Sequence, residues 1–337
     1  MKKNYLKRFK NSISDIKDFG LSTAFSIFCT KIVPYAQHMD SKIAYKLNAN
    51  KHRAILKYLK SKYGYTLNLL QESEKDNLDN VKDERLIWSF WWQGIDNAPE
   101  LVKMCFSSIE NNSNEHRLIV IDKYNFEQYV DLPEYIMEKL QSGNISYTHF
   151  SDIVRIYLLY KYGGVWIDST MLLVKDIPEE LFITDFFIGK MPREPFYCIS
   201  EKRWNIAFLA GEPRNAYFYI MLQFYFAYWK SEDRVIDYFL MDYMTELIFN
   251  NIDQIKEMYE RVPVNNLMMF SLDLNRKYNE DELNELTKNT FLFKNQRRSI
   301  FNNQDESENL TFFGFFHKKY MQSTQRIDKT NIFLKRY

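Results

Sequence analysis

The chain has 337 residues, of which 46% are hydrophobic, 17% aromatic and 26% charged, with a formal net charge of +1. These proportions exclude a disordered polymer and allow a large buried core, as one domain with an appendage or as two modest domains. Cys29, Cys105 and Cys198 show no Cys-x-x-Cys spacing, which argues against a disulfide framework and a structural zinc site and fits a reducing, cytoplasmic compartment.

The near-neutral balance conceals an asymmetry. Residues 1–63 hold 14 Lys and Arg against three Asp, leaving 31 against 41 in the rest. An anionic partner for the leading segment alone is therefore expected. Met1 to Lys10 sets five basic residues among Tyr5, Leu6 and Phe9, and a weakly charged apolar run from Phe19 to Thr30 follows. That run is shorter than the roughly 20 apolar residues of a spanning helix, and no small-residue cleavage pattern follows it. It suits a segment lying in a bilayer interface, so a peripheral position on the inner face of the plasma membrane, against anionic lipid, is expected. The alternative is a helical subdomain whose lysines form its solvated face. No reader motif accompanies the charge, so nucleic acid is not expected as a partner.

Lys42 to Tyr63 carries Ile43, Leu47, Ile55, Leu56 and Leu59 at helical spacing and is read as two amphipathic helices; the polar stretch from Glu72 to Glu84 is read as a linker. Leu86 to Trp92 is apolar and aromatic throughout, as a buried first strand would be, and Gln93-Gly94 ends it. Pro99 to Ile109 reads as a helix with proline near its first turn, and Leu118 to Ile121 as the second strand. This β-α-β opening is that of a nucleotide-binding α/β half. The absence of a Gly-x-Gly-x-x-Gly or Walker loop disfavours a dinucleotide or ATP.

The most informative stretch is Ser151 to Thr170. Apolar residues run nearly all round a helix to Tyr162, interrupted by Asp152, Arg155 and Lys161. Asp152 and Arg155, three residues apart, share a helix face. They either complement the helix N-terminus and pair with each other, or bind something polar. Gly163-Gly164 ends the helix, and Val165 to Ile167 reads as a short central strand with Asp168 at its carboxyl end, where open α/β sheets place their ligand crevice.

Asp152 and Arg155 in Ser-Asp-Ile-Val-Arg, followed by Tyr-Gly-Gly-Val-Trp-Ile-Asp-Ser-Thr, resemble the donor-site core of glycosyltransferases with the GT-A fold. The resemblance is to glycosyltransferase family 32, the clostridial glucosylating toxins and, closest, the bacterial capsular polysaccharide synthesis proteins, over roughly residues 86–301. It implies an α/β, GT-A type nucleotide-sugar-binding fold with a mainly parallel central sheet, preceded by the basic helical segment. The implied division is a membrane-proximal segment with linker at 1–83, a catalytic domain at 84–300 and a tail at 301–337 that closes the donor site.

The resemblance further implies transfer of a sugar, with retention, from a nucleoside diphosphate, most simply a UDP-sugar, to a polyprenyl-diphosphate-linked oligosaccharide during surface-polysaccharide assembly. Asp168, Asp152 and Arg155 become candidate catalytic and donor-binding residues. Trp91 matches the position of a tryptophan that stacks on the base, with Trp92 second; core packing is the plainer role for two of the three tryptophans Trp88, Trp91 and Trp92. Gln93, Gly94, Gly163, Gly164 and Asn205 complete the expected donor set. A Mn²⁺ or Mg²⁺ ion on Asp168 would neutralise the leaving diphosphate. Thr170 stands where the family pattern often has a second carboxylate and offers only a hydroxyl beside Asp168, so either the metal is weakly held, or a further ligand takes part, or Asp168 mainly orients the ribose or sugar hydroxyls of the donor.

Downstream, Met171 to Val174, Phe186 to Gly189 and Trp204 to Ala210 read as strands, and Asn215 to Lys230 and Asp237 to Tyr243 as helices. Asp242 lies in a Tyr-Phe-Leu-x-Asp-Tyr segment like one in the capsular synthesis proteins, which makes it an acceptor-side or catalytic candidate against a surface or capping role. Lys294, Arg297, Arg298 and His317 fall in two late basic-aromatic clusters, candidates for holding a diphosphate against solvated charge. Two competing functions stay open: a nucleotide- or glycan-binding protein with weak turnover, for which Thr170 speaks, and a glycoside hydrolase using Asp152 and Asp168, disfavoured for lack of a positioned acid.

Overall fold

The computed structural model describes residues 14–32, 42–75, 85–194 and 197–322. Seven strands occur among them: β1 (Ile87–Phe90), β2 (Leu118–Ile121), β3 (Gly164–Ile167), β4 (Met171–Leu173), β5 (Phe186–Gly189), β6 (Asn205–Gly211) and β7 (Leu292–Lys294). Five form a central sheet in the order β2-β1-β3-β6-β5, while β4 and β7 pair antiparallel as a separate ribbon. β1 runs parallel to β2 and β3, β6 runs against β3, and β5 runs against β6, so four of the five strands point one way.

Alternation along each strand divides the apolar residues between two cores. Trp88, Ile119, Ile121, Trp166 and Leu209 enter one cluster; Ile87, Val120, Val165, Ile167 and Phe208 enter the other. With both faces covered, the strands read as continuous apolar runs, as those of a helix-flanked sheet do. The helix Glu100–Asn111 joins β1 to β2, with Pro99 immediately before it. The helix Ala216–Ser231 begins at Asn215, whose side chain accepts a hydrogen bond from the Tyr217 amide, and it buries Tyr217, Phe218, Phe224 and Tyr228.

Lys42–Tyr63 is one helix of 22 residues, not two. Asn48, a polar residue inside it, is buried and donates to the Ala44 carbonyl at 3.1 Å, within the helix. The helix is not a detachable leader. Ile55, Leu59 and Tyr63 are buried in the main core, and Tyr63 meets Phe224 and Tyr228 with ring centroids 6.0 and 5.5 Å apart. The nearly buried carboxylate of Glu232 accepts hydrogen bonds from Tyr58 and Tyr63 (both 2.5 Å) and from Lys62 (2.7 Å). The basic run Met1 to Lys10 and residues 76–84 of the expected linker lie outside the described residues. No helix among the described residues is long and apolar enough to cross a membrane.

The late Phe312–His317 helix is likewise core: Phe312, Phe313, Phe316 and the following Tyr320 are buried, and the Tyr320 hydroxyl donates to the Leu173 carbonyl at 3.1 Å.

Candidate active site

The central helix spans Tyr147–Tyr162, four residues longer at its start than its apolar run suggests, because Ser146 caps it: the Ser146 hydroxyl accepts from the His149 amide at 3.3 Å. Gly163 (φ 67°) turns the chain out of the helix and Gly164 (φ 91°) starts β3. A Cβ on Gly164 would lie 2.4 Å from the Leu86 carbonyl oxygen, and one on Gly163 would lie 2.7 Å from Pro213, so both positions require glycine. They stand at the opposite end of β3 from Asp168. They shape the helix-strand turn and are not among the residues that line the cavity described below.

Asp168 leaves β3 beside the start of the reversed strand β6, and its amide donates to the Ala207 carbonyl at 2.9 Å. Its carboxylate oxygens are both engaged. Arg155 Nη2 and Trp166 Nε1 each donate to Oδ1 at 2.8 Å, and Lys294 Nζ donates to Oδ2 at 2.7 Å. Lys294 arrives from 126 positions away because β7 pairs with β4, which sets Lys294 opposite Met171. Arg155 also meets Asp152 at 3.2 Å, donates to the Ile206 carbonyl at 2.8 Å and lies over the Trp166 ring at 4.9 Å. Its Nε is buried without a hydrogen-bond partner among the described residues. The helix pair Asp152 and Arg155 is thus one end of a charged chain leading to Asp168 and Lys294.

Environment separates the three acids of the site. Burial pushes Asp168 up, but Lys294 and Arg155 outweigh it and hold the carboxyl below its usual range. Burial raises Asp152 against the pull of Arg155. Burial lifts Asp242 to about 7, with a hydrogen bond from Trp204 Nε1 (2.9 Å) opposing and Asp152 adding to the rise. One carboxyl firmly ionised and one poised near neutrality is the separation that acid-base chemistry requires.

All of these acids, with Arg155 and Lys294, line one cavity of about 800 Å³. Residues of the connection between β5 and β6 and the aromatic residues Tyr197, Tyr238, Phe239, Phe270 and Phe301 also line it. The sequence reading missed this aromatic wall, although Tyr238 and Phe239 belong to the same Tyr-Phe-Leu-x-Asp-Tyr segment that drew attention to Asp242. Asn205 lines the cavity, with its side chain accepting from the Ala207 amide at 2.9 Å.

Several expected residues are not brought to this cavity. Trp91, Trp92, Gln93 and Gly94 follow β1 outside its lining. Trp91 is buried, its ring 5.7 Å from the Arg297 guanidinium and its Nε1 without a partner among the described residues. Trp92 packs in an aromatic cluster with Phe90, Phe126, Tyr147 and Phe150. His317 pairs with Glu100 at 2.7 Å and stacks on Phe313. Arg298 is exposed.

The donor set also bears on a divalent ion. A hard cation needs several free oxygen ligands. Asp168 offers two oxygens already taken by cationic or indole N–H donors, and an added ion would meet the repulsion of Lys294 and Arg155. Thr170 is buried, holds Asn295 through its carbonyl and does not line the cavity. Among the described residues no group of three or more His, Cys, Asp or Glu is placed to hold an ion. The described residues around Asp168 do not fit a resident divalent metal.

Taken together, these features define an α/β protein with a charged cleft at the carboxyl edge of a mostly parallel sheet. Residues 36–315 match the family model described as capsular polysaccharide synthesis protein, and the chain belongs to that family. It is also similar to the glycosyltransferase afumC of Aspergillus fumigatus (30% identity over 104 residues, 28% of this chain and 27% of that protein). A second relative, the O-glycosyltransferase PaGT of Phomopsis amygdali, is 30% identical over 105 residues, 28% of this chain and 26% of that one. The chain therefore spans about a quarter of the length of the curated relatives it matches. A solved structure titled PaToxG Glycosyltransferase overlays 66% of this chain and 90% of its own, at 13% identity and a TM-score of 0.33.

Proposed function

We propose that this protein is a glycosyltransferase that moves a sugar from a nucleoside-diphosphate sugar, most simply a UDP-sugar, to an oligosaccharide carried on a polyprenyl diphosphate. The observation that carries the reading is the chain of Asp152, Arg155, Asp168 and Lys294 at the strand edge, opening into a cavity large enough for a sugar nucleotide. Relatives named as glycosyltransferases and membership of a capsular synthesis family support it. The ties to family 32 and the clostridial toxins, retention of configuration and a peripheral place on the inner leaflet belong to the same proposal.

In the proposed reaction the anomeric carbon–oxygen bond to the diphosphate breaks and its electron pair leaves on the phosphate oxygen. The acceptor hydroxyl oxygen bonds to the anomeric carbon on the face from which the diphosphate leaves, which retains configuration, and its proton passes to Asp242. Asp152 and Arg155 hydrogen-bond the donor sugar. Asp168 holds Lys294 and Arg155 in register, so that positive charge faces the leaving group as negative charge develops there. The aromatic lining is the acceptor side, where rings stack on sugar faces.

The test is nucleotide release from a panel of UDP-, GDP- and dTDP-sugars. Asp168→Asn and Asp152→Asn are each expected to lower release about a hundredfold or more, the usual cost of removing a preorganised charged group. Near wild-type release by both variants would end the assignment.

A further inference from the structure

Asp168 carries a cation where an activated-sugar site would otherwise carry a metal. Lys294 Nζ sits 2.7 Å from Asp168 Oδ2, lines the cavity and uses one of its three N–H bonds there; no other hydrogen-bond partner occurs among the described residues. Its strand exit continues the theme. Gln296 and Ser299 line the same cavity, and between them Arg297 is exposed, its guanidinium over the Trp91 ring at the end of β1. One short segment thus delivers an ammonium to the carboxylate and a guanidinium to the neighbouring strand end. An ammonium is a compact charge with rotatable donors, suited to bridging a carboxylate and a phosphate oxygen.

We propose that Lys294, seated on Asp168, holds the donor's diphosphate in place of a divalent ion, so that donor binding and turnover need no metal. The inference rests on the donor reading above. It accounts for two features that a metal site leaves unexplained: Thr170 where a second carboxylate would be needed, and an Asp168 whose oxygens already receive Arg155, Trp166 and Lys294.

The experiment is calorimetric titration of the full chain with UDP, GDP, dTDP and the matching nucleosides, in excess EDTA and again with Mn²⁺, together with nucleotide release in both buffers. The expected result is that the best-bound diphosphate has the same affinity, within about threefold, in EDTA and Mn²⁺. Lys294→Met is expected to weaken diphosphate binding about tenfold or more, the worth of a charge-assisted hydrogen bond, and to leave nucleoside binding unchanged. Lys294→Arg is expected to restore most of the loss. Asp168 keeps Arg155 and Trp166 in these variants, so the fold is expected to survive; if Lys294→Met does not fold, the EDTA arm on the wild-type chain decides. Diphosphate binding or turnover that appears only with Mn²⁺, or an unchanged affinity in Lys294→Met, overturns the proposal while leaving the donor reading intact. No diphosphate binding in either buffer sinks the donor reading, and this inference with it.

Discussion

Asp242 shows how a residue recognised by position acquires its chemistry from burial. The acid was visible as a candidate in the sequence; the indole of Trp204 on its Oδ1 and its place beside Asp152 in the cavity were not, because they depend on contacts across 38 and 90 positions. With its carboxyl raised to about 7, the ionised fraction of Asp242, the base of the proposed reaction, grows as pH rises to that value. Transfer is expected to increase about tenfold per pH unit below 7 and level off above it. Asp242→Asn is expected to lower the rate about a hundredfold and abolish that inflection, read from a pH-rate profile. Stability carries the opposite sign. The folded chain holds this proton more tightly than the unfolded chain, so the contribution is fully present below about 3.8 and is lost as pH climbs through about 7. The melting temperature of Asp242→Asn is therefore expected to gain on wild type as pH rises across that window. Failure of the gap to widen would show that the carboxyl is not buried in its ionised form.

At the scale of elements, the helix–turn–strand from Tyr147 to Ile167 was legible because three local signals agree: an all-round apolar helix, two glycines and a short buried strand. The ribbon of β4 and β7 was not. Leu292–Lys294 is three residues long, too short for any periodicity, and its partner lies more than 100 positions earlier; yet it places Lys294 on Asp168. The turn is also where the fold tolerates least. Gly164→Ala combines a φ of 91° with a Cβ 2.4 Å from a backbone oxygen, and the start of β3 would have to move away from Leu86. A loss of about 3 kcal/mol or more is expected, measured as a lower urea midpoint or a collapse of soluble yield. An Ala variant as stable as wild type would mean that β3 has another register available.

For the whole molecule, the charge asymmetry was legible but the integration of the N-terminal helices was not. The buried face of Lys42–Tyr63 includes Asn48, Lys51 and His52, which break the apolar stripe; Lys51 reaches Asp237 at 3.1 Å and His52 reaches the Tyr243 hydroxyl at 2.7 Å. Ile55→Ala, at a fully buried position, is expected to cost about 3 kcal/mol in global stability, which a free appendage would not show. The outer side tells a different story. Leu21, Phe25 and Ile43 are each 64–68% exposed, and Leu21 and Phe25 lie four residues apart on one helix face. Leu21→Ser with Phe25→Ser is expected to reduce co-sedimentation with anionic vesicles severalfold while nucleotide release in solution stays unchanged. Equal co-sedimentation would remove these residues from any membrane contact. Finally, because β6 runs backwards, the whole connection from Lys190 to Trp204 leaves and re-enters the sheet at the reacting edge, while Asp168 and Lys294 come from other strands. Under the proposed reaction, drift or insertion in that single loop retunes the acceptor without disturbing the hold on the diphosphate, so related chains can diverge in product while sharing one donor chemistry.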